Sequence, residues 1–190
     1  MLQVYTGNGK GKTTAAIGLA IRSLGAGRRV YIMQFMKGMA YSEQKVLRKL
    51  APQLVLRTTG KPFFIAKEGM LTPEQRRQWG DDVVIFPEGQ PPEDYVRLLQ
   101  AGLAEAAEAI LSGSYGLAVL DELNVALFFG LLERKSVEHL LNQVPEQTEL
   151  VLTGRNAPDW LLARADLITQ MQEVRHYYTR GVEARRGIEN

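Results

Sequence analysis

Leu2-Gln3-Val4-Tyr5-Thr6-Gly7-Asn8-Gly9-Lys10-Gly11-Lys12-Thr13-Thr14 runs from an apolar, strand-like segment through a loop with three glycines into the start of a helical pattern. Strand, glycine loop and helix in that order are the context a phosphate-binding P-loop requires. Glycines let backbone N–H groups converge on phosphate oxygens, and the helix N-terminus adds positive potential. Gly7, Asn8, Gly9, Lys10, Gly11, Lys12, Thr13 and Thr14 are therefore expected to bind a nucleotide. Lys12 would neutralise phosphate charge and the Thr13 hydroxyl would hold Mg²⁺. The strict pattern places glycine at position 6, where this chain has Thr6 with Gly7 beside it, so the loop is a variant. The alternative is a glycine turn without a ligand.

Beyond the loop, short apolar runs alternate with helical patterns. Ile17, Ala20, Ile21 and Leu24 have helical spacing, and Gly25 and Gly27 end that helix. Val30–Phe35 and residues 54–58 read as strands, with Ser42 as the N-cap of a helix through residue 50 between them. Glu93–Leu111 reads as a helix carrying Val96, Leu99, Leu103, Ala107 and Ile110 on one face. Residues 117–120, 150–152 and 167–174 read as further strands. Ser136 is a candidate cap for a helix to Asn142, and Pro158 opens another.

This alternation predicts an α/β fold with a mostly parallel central sheet flanked by helices in three layers. Together with the loop it predicts a P-loop NTPase (RecA-like) architecture, in a single nucleotide-binding domain over 1–190. Residues 59–91 stand apart. They hold Pro62, Pro73, Pro87 and Pro91, with Pro92 just beyond, and Phe63, Phe64, Trp79 and Phe86. A long stretch with little regular pattern is expected to be a functional loop or lid; Thr72-Pro73-Glu74 could start a short helix within it.

Composition removes whole classes of function. The 190 residues are 45% hydrophobic and 23% charged, as in ordinary globular proteins, which excludes wholesale disorder. There is no cysteine, so disulfides, thiolate zinc, iron–sulfur ligation and a cysteine nucleophile are excluded. Two histidines, His139 and His176, cannot make a histidine-rich metal cluster; His139 is expected on an ordinary helix. A net charge of +2 gives little general attraction to nucleic acid. No apolar run approaches a membrane span, and no basic leader or cleavage site precedes the first strand. The expected product is soluble and cytoplasmic.

In parallel sheets ligands bind beyond the carboxyl ends of the strands. The loops 7–12, 34–38, 121–124 and 153–155 all follow strands and should gather along one edge. Asp121-Glu122 follows the run Leu117-Ala118-Val119-Leu120, where a P-loop protein holds its Mg²⁺ directly or through water. Thr13, Asp121 and Glu122 are the metal candidates. A helix N-cap would also explain Asp121, and Glu122 could instead orient an attacking water. Arg155 in Thr153-Gly154-Arg155 suits a triphosphate tail; a surface salt bridge is its alternative. Met33, Met36 and Met39 at spacing three fit a core. In the tail, Arg180, Arg185 and Arg186 face Glu183 and Glu189 as a mixed-charge segment. These residues describe a magnesium-nucleotide site without naming its reaction.

The ensemble resembles the P-loop type of ATP:corrinoid adenosyltransferase. The matching pieces are 5–16, Gln34-Phe35 with Lys37-Gly38, and 120–127 with Gly130-Leu131-Leu132. Then come 149–155 and Ala165-Asp166-Leu167, and finally Arg175-His176-Tyr177-Tyr178 with Gly181-Val182-Glu183-Ala184 and Gly187-Ile188-Glu189. They occur in the family's order and span nearly the whole chain; residues 59–91 match weakly. The resemblance implies that a corrin cobalt reduced to Co(I) attacks the 5′ carbon of ATP. The deoxyadenosyl group moves to cobalt and triphosphate leaves, in adenosylcobalamin synthesis or salvage. Lys12, Glu122 and Arg155 are then the expected catalytic residues, with Lys10, the loop amides and Mg²⁺ stabilising the departing triphosphate. A metal nucleophile needs no general base, and no Asp-x-His-x-x-Gly motif offers a histidine to cobalt.

Reactive Co(I) calls for an apolar, water-poor pocket. Phe63, Phe64, Trp79, Phe128 and Phe129 are candidates to line it, with core packing as the alternative for each. The resemblance also implies a homodimer and a reductant for Co(II), and no nucleic-acid or membrane partner. Some relatives carry an N-terminal extension that helps cover the active site; this sequence opens on its first strand. The rival functions are an ordinary P-loop NTPase or kinase using Glu122, and a nucleotide-binding regulator without turnover.

Overall fold

The structure, a computed structural model, describes residues 1–182 and 184–189. In chain order its elements are β1 (Leu2–Thr6), α1 (Lys12–Gly25), β2 (Val30–Phe35), α2 (Ser42–Leu47), β3 (Leu54–Thr59), β4 (Phe64–Lys67), α3 (Pro73–Trp79) and β5 (Val83–Phe86). Then follow α4 (Glu93–Leu111), β6 (Leu117–Asp121), α5 (Leu123–Phe128), α6 (Arg134–Leu141), β7 (Glu149–Thr153), α7 (Asp159–Leu162) and β8 (Leu167–Gln170).

Six strands make one sheet in the order β3-β2-β6-β7-β1-β8, and each pairing is parallel. Parallel strands need crossovers, and crossover helices cover both faces, so the central strands are apolar on both sides. On one face Tyr31, Met33, Phe35, Ala118, Leu120, Leu150 and Leu152 pack against α4, α5, α6 and α7. On the other, Val30, Ile32, Leu117, Val119 and Val151 pack against Ala16 and Ala20 of α1 and Leu47 of α2. The odd–even split along each strand is the two-residue period of the pleat. The predicted three-layer, mostly parallel α/β architecture is what the chain forms, and it is consistent with a P-loop NTPase-like fold.

Several local expectations shift. Helix α1 turns Ala16, Ala20 and Ser23 to the sheet, and Ile21 of the expected stripe is 48% exposed. Small residues let this helix lie close to the strands, which outweighs the larger apolar side chains. Helix α4 buries Tyr95, Leu99, Gly102, Leu103, Ala106 and Ile110, so Val96 and Ala107 flank the buried stripe. Ser42 is the first helical residue of α2, with Tyr41 in the cap position, and α6 begins at Arg134, ahead of Ser136.

The stretch 59–91 is more regular than its prolines suggest. β4 and β5 pair in parallel, Phe64 opposite Val83 through Lys67 opposite Phe86, with α3 as their connection. Thr72 caps α3 with its side chain and Pro73 takes the first turn. Ile65 and Phe86 anchor this small unit in the main core. The last strand stops at Gln170 rather than 174, because Met171 leaves the sheet to cross the glycine loop. Glu183, part of the tail resemblance, lies outside the described residues. Among the described residues no helix is long and apolar enough to cross a membrane.

Candidate functional site

Register builds the site. Gln34 of β2 lies opposite Asp121 of β6, and Leu120 opposite Leu152, which sets Thr153 of β7 beside Asp121. Tyr5 of β1 in turn lies opposite Thr153. The strand ends thus bring the loops 7–12, 34–38, 121–124 and 153–155 to one edge, as the sequence predicts.

Asp121 is at the centre, 1% exposed. Its Oδ1 accepts from the Thr13 hydroxyl at 2.8 Å and the Thr153 hydroxyl at 2.6 Å. Its Oδ2 accepts from Gln34 Nε2 at 3.2 Å, and Gln34 Oε1 accepts from Gln44 Nε2 at 3.0 Å. Lys37 Nζ stands 3.9 Å from Asp121 Oδ2 and 3.7 Å from Glu43, over the Tyr41 ring. Glu122 follows with φ 62, a left-handed turn, and its N–H donates to Thr153 Oγ1 at 3.0 Å. Burial, and then the neighbouring Asp121, push the Glu122 carboxyl up to about 7; Lys37, Lys12 and Arg155 pull the other way.

The glycine loop wraps the Lys12 ammonium. Lys12 Nζ donates to the carbonyls of Gly7 and Gly9, both at 2.7 Å. Burial, and then nearby Arg155, lower its pKa, against Glu122 and Asp121. Arg155 donates from Nη2 to the Asn8 carbonyl at 3.2 Å, so a cation from β7's loop closes one side. Thr13 and Asp121 therefore meet as the sequence predicts, and Lys12 and Arg155 stand beside them.

The other side of the loop is covered by its own chain. Gly9 N–H donates to the Met171 carbonyl at 2.8 Å, and Lys10 Nζ to the Ile188 carbonyl at 2.9 Å. A Cβ on Gly7 would lie 2.3 Å from Met171 O, and one on Gly9 2.7 Å from Gln172 O. Glycine at these positions is required by the crossing of the C-terminal segment as well as by loop geometry. No local pattern in the sequence signals this contact, because it joins residues about 160 positions apart. Gln34 and Thr153 lie in two of the loops expected at this edge, but their contacts with Asp121 carry no sequence signal of their own, and Gln44, inside α2, has none.

The donors present are oxygens: one hydroxyl and one carboxylate already within hydrogen-bond reach, with a second carboxyl adjacent. Such a set fits Mg²⁺, which is commonly held by one or two carboxylates plus substrate phosphates. Among the described residues no cluster of three His, Cys, Asp or Glu forms a dedicated metal cage.

The five aromatic candidates fall into separate groups. Phe63 meets Tyr95 edge-on at 5.8 Å, and Phe64 meets Trp79 at 4.5 Å. Phe128 meets Phe129 at 5.2 Å, and Phe129 is taken into the core with Phe86. Phe128 also carries the Lys67 ammonium over its ring, and lines a cleft of about 310 Å³ with Leu132, Arg134, Asn156 and Trp160. A larger groove of about 560 Å³ between α4 and α6, where His139 lies, includes none of the residues around Asp121.

Comparison with known proteins gives the chain a family. Residues 1–190 match the family model described as ATP:corrinoid adenosyltransferase BtuR/CobO/CobP. The chain is 32% identical over 189 residues to a corrinoid adenosyltransferase of Pseudomonas aeruginosa, covering 100% of this chain and 83% of that one. It is 30% identical over 186 residues to a corrinoid adenosyltransferase of Escherichia coli K12, covering 98% and 83%. With one of Sinorhizobium it shares 30% over 191 residues, covering 100% and 79%. A full-length match in sequence, on a sheet whose strand ends assemble the predicted loops, means that the chain belongs to the ATP:corrinoid adenosyltransferase family.

Proposed function

We propose that the strand-end site binds magnesium-ATP by its triphosphate and presents the ribose 5′ carbon to the Co(I) of a reduced corrinoid. The cobalt–carbon bond forms as the C5′–O bond breaks, and the electron pair leaves with triphosphate. The observation that carries this reading is the meeting of Thr13, Asp121 and Lys12 at the end of β1 and β6, with Arg155 closing over Asn8.

In this reading Lys12 exchanges the Gly7 and Gly9 carbonyls for phosphate oxygens. Lys10 and Arg155 meet the outer oxygens, and the loop amides of 7–14, apart from the Gly9 amide held by Met171, surround the rest. Thr13, Asp121 and Glu122 hold Mg²⁺, which supplies charge neutralisation to the leaving group when bound. All these groups act where charge develops, so they lower the barrier more than they tighten the ground state. No residue has to remove a proton, because the nucleophile is a metal centre. Phe63, Phe64, Trp79 and Phe128 are assigned to the apolar surroundings of the corrin, with Phe129 supporting them from the core and the 59–91 unit as its lid. The enzyme works as a cytoplasmic homodimer supplied by a reductant for Co(II).

Incubation with ATP, Mg²⁺ and a chemically reduced corrinoid should give a light-sensitive Co–C bond and one triphosphate per bond formed. ADP and phosphate without alkylated corrinoid would overturn the reading in favour of an NTPase. Tight ATP binding without any turnover would overturn it in favour of a regulator.

A further inference from the structure

We propose that Thr153 is a positioning residue of the metal site: one hydroxyl, delivered by β7, fixes both acidic residues that follow β6. The inference rests on the proposed role of Asp121 toward Mg²⁺. Thr153 is 0% exposed. A threonine hydroxyl has one proton to give and lone pairs to accept with. Here the proton goes to Asp121 Oδ1 at 2.6 Å, and Oγ1 takes the Glu122 N–H at 3.0 Å. Glu122 sits at φ 62, a conformation that residues with a side chain avoid, so its turn depends on contacts that hold it.

The arrangement separates two kinds of support for the same carboxylate. Gln34 steadies Oδ2 from β2. Thr13 shares Oδ1 with Thr153, but its hydroxyl is itself an expected metal ligand. Once Thr13 turns to the metal, Thr153 is the side-chain donor left on Oδ1. It is also the only one of these contacts that ties the carboxylate's orientation to the backbone of the next acid. Valine has nearly the same shape, but a methyl in place of the hydroxyl would leave a buried N–H and a buried carboxylate oxygen each short of a partner.

The test uses Mn²⁺ as a paramagnetic probe of the protein–ATP complex, read by electron paramagnetic resonance, with no corrinoid present. Thr153→Val should weaken Mn²⁺ binding at least about tenfold, the usual effect of removing a residue that orients a metal ligand. ATP affinity in the presence of chelator should stay within about twofold, and Thr153→Ser should restore Mn²⁺ binding. If the valine variant does not fold, Thr153→Ala carries the same expectation. Mn²⁺ binding by the valine or alanine variant equal to that of the parent would overturn the inference, as would a serine variant as weak as valine. Asp121→Asn separates the two readings. Weakened Mn²⁺ there with unchanged Thr153→Val overturns the positioning role alone, and unchanged Mn²⁺ in Asp121→Asn overturns the metal assignment with it.

Discussion

Lys12→Ala should abolish most adenosyl transfer without destabilising the protein, and the two effects come from the same geometry. Lys12 is 7% exposed, and its ammonium lies 2.7 Å from two loop carbonyls. A phosphate oxygen taking their place at about 3 Å would interact by about 5 kcal/mol at an effective dielectric of ~20. Part of that is present in the ground state; removing one preorganised donor from a developing anion usually costs 10²–10³ in rate. With the binding loss added, kcat/KM should fall by about 10³, or about 4 kcal/mol. Folding runs the other way. Burial holds the Lys12 pKa below its unfolded value, so the charged form is disfavoured in the folded state. Between the lowered pKa and the unfolded one the unfolded chain binds more protons, so the parent's stability rises with pH there. The alanine variant should lack that rise, and its melting temperature near pH 7 should equal or exceed the parent's. The assays are triphosphate release with reduced corrinoid and thermal melting from pH 7 to 10. Undiminished turnover in the alanine variant would refute the assigned role, and a melting temperature well below the parent's would refute the electrostatic argument.

Glu122→Gln should flatten the pH dependence of stability without nucleotide. A carboxyl raised to about 7 contributes stability that is complete below its unfolded pKa near 4.5 and lost as pH rises through 7. The parent should therefore lose melting temperature from pH 5 to pH 8 relative to the glutamine variant, and parallel curves would count against the shift. Gly9→Ala should loosen the C-terminal crossing, since its Cβ would meet Gln172 O at 2.7 Å. Limited proteolysis should then cut near residue 172 faster than in the parent. Gly102→Ala should destabilise by about 1–3 kcal/mol, because the added methyl would lie 2.8 Å from Thr59 Cγ2 in a packed helix–sheet contact. Its Mn²⁺ binding should be unchanged, which calorimetric melting and the paramagnetic titration can check together.

What the sequence makes legible follows the range of the physics. The glycine loop is read directly because strand, turn and helix N-terminus are adjacent in the chain. The sheet is read because parallel strands buried on both faces leave continuous apolar runs such as residues 117–120. The stretch 59–91 is misread as irregular because β4 and β5 are only four residues each, and their pairing is joined through α3. Four residues are too few for a period to show. The face of α1 is read correctly at three of its four residues, since Ala20 is buried and Ile17 and Leu24 pack against the core. Periodicity fails at Ile21, because a helix pressed against a sheet selects for small side chains, and Ala16 and Ser23 are buried where Ile21 is left outside.

The site shows the same division, and it explains why the acidic pair can be found while its support cannot. Asp121 and Glu122 are visible because carboxylates at the end of an apolar strand are out of place unless they bind something. Thr153 and Gln34 are not out of place: a hydroxyl or amide at a strand end has many ordinary partners, and Gln44 sits unremarkably in α2. Gln34 and Thr153 reach Asp121 only through register, which sets β2, β6 and β7 so that Gln34 faces Oδ2 and Thr153 faces Oδ1. A shift of one residue in β7 would turn Thr153 to the opposite face and leave Oδ1 to Thr13 alone. The apolar alternation that packs Leu150 and Leu152 on one face and Val151 on the other therefore also fixes the orientation of Asp121.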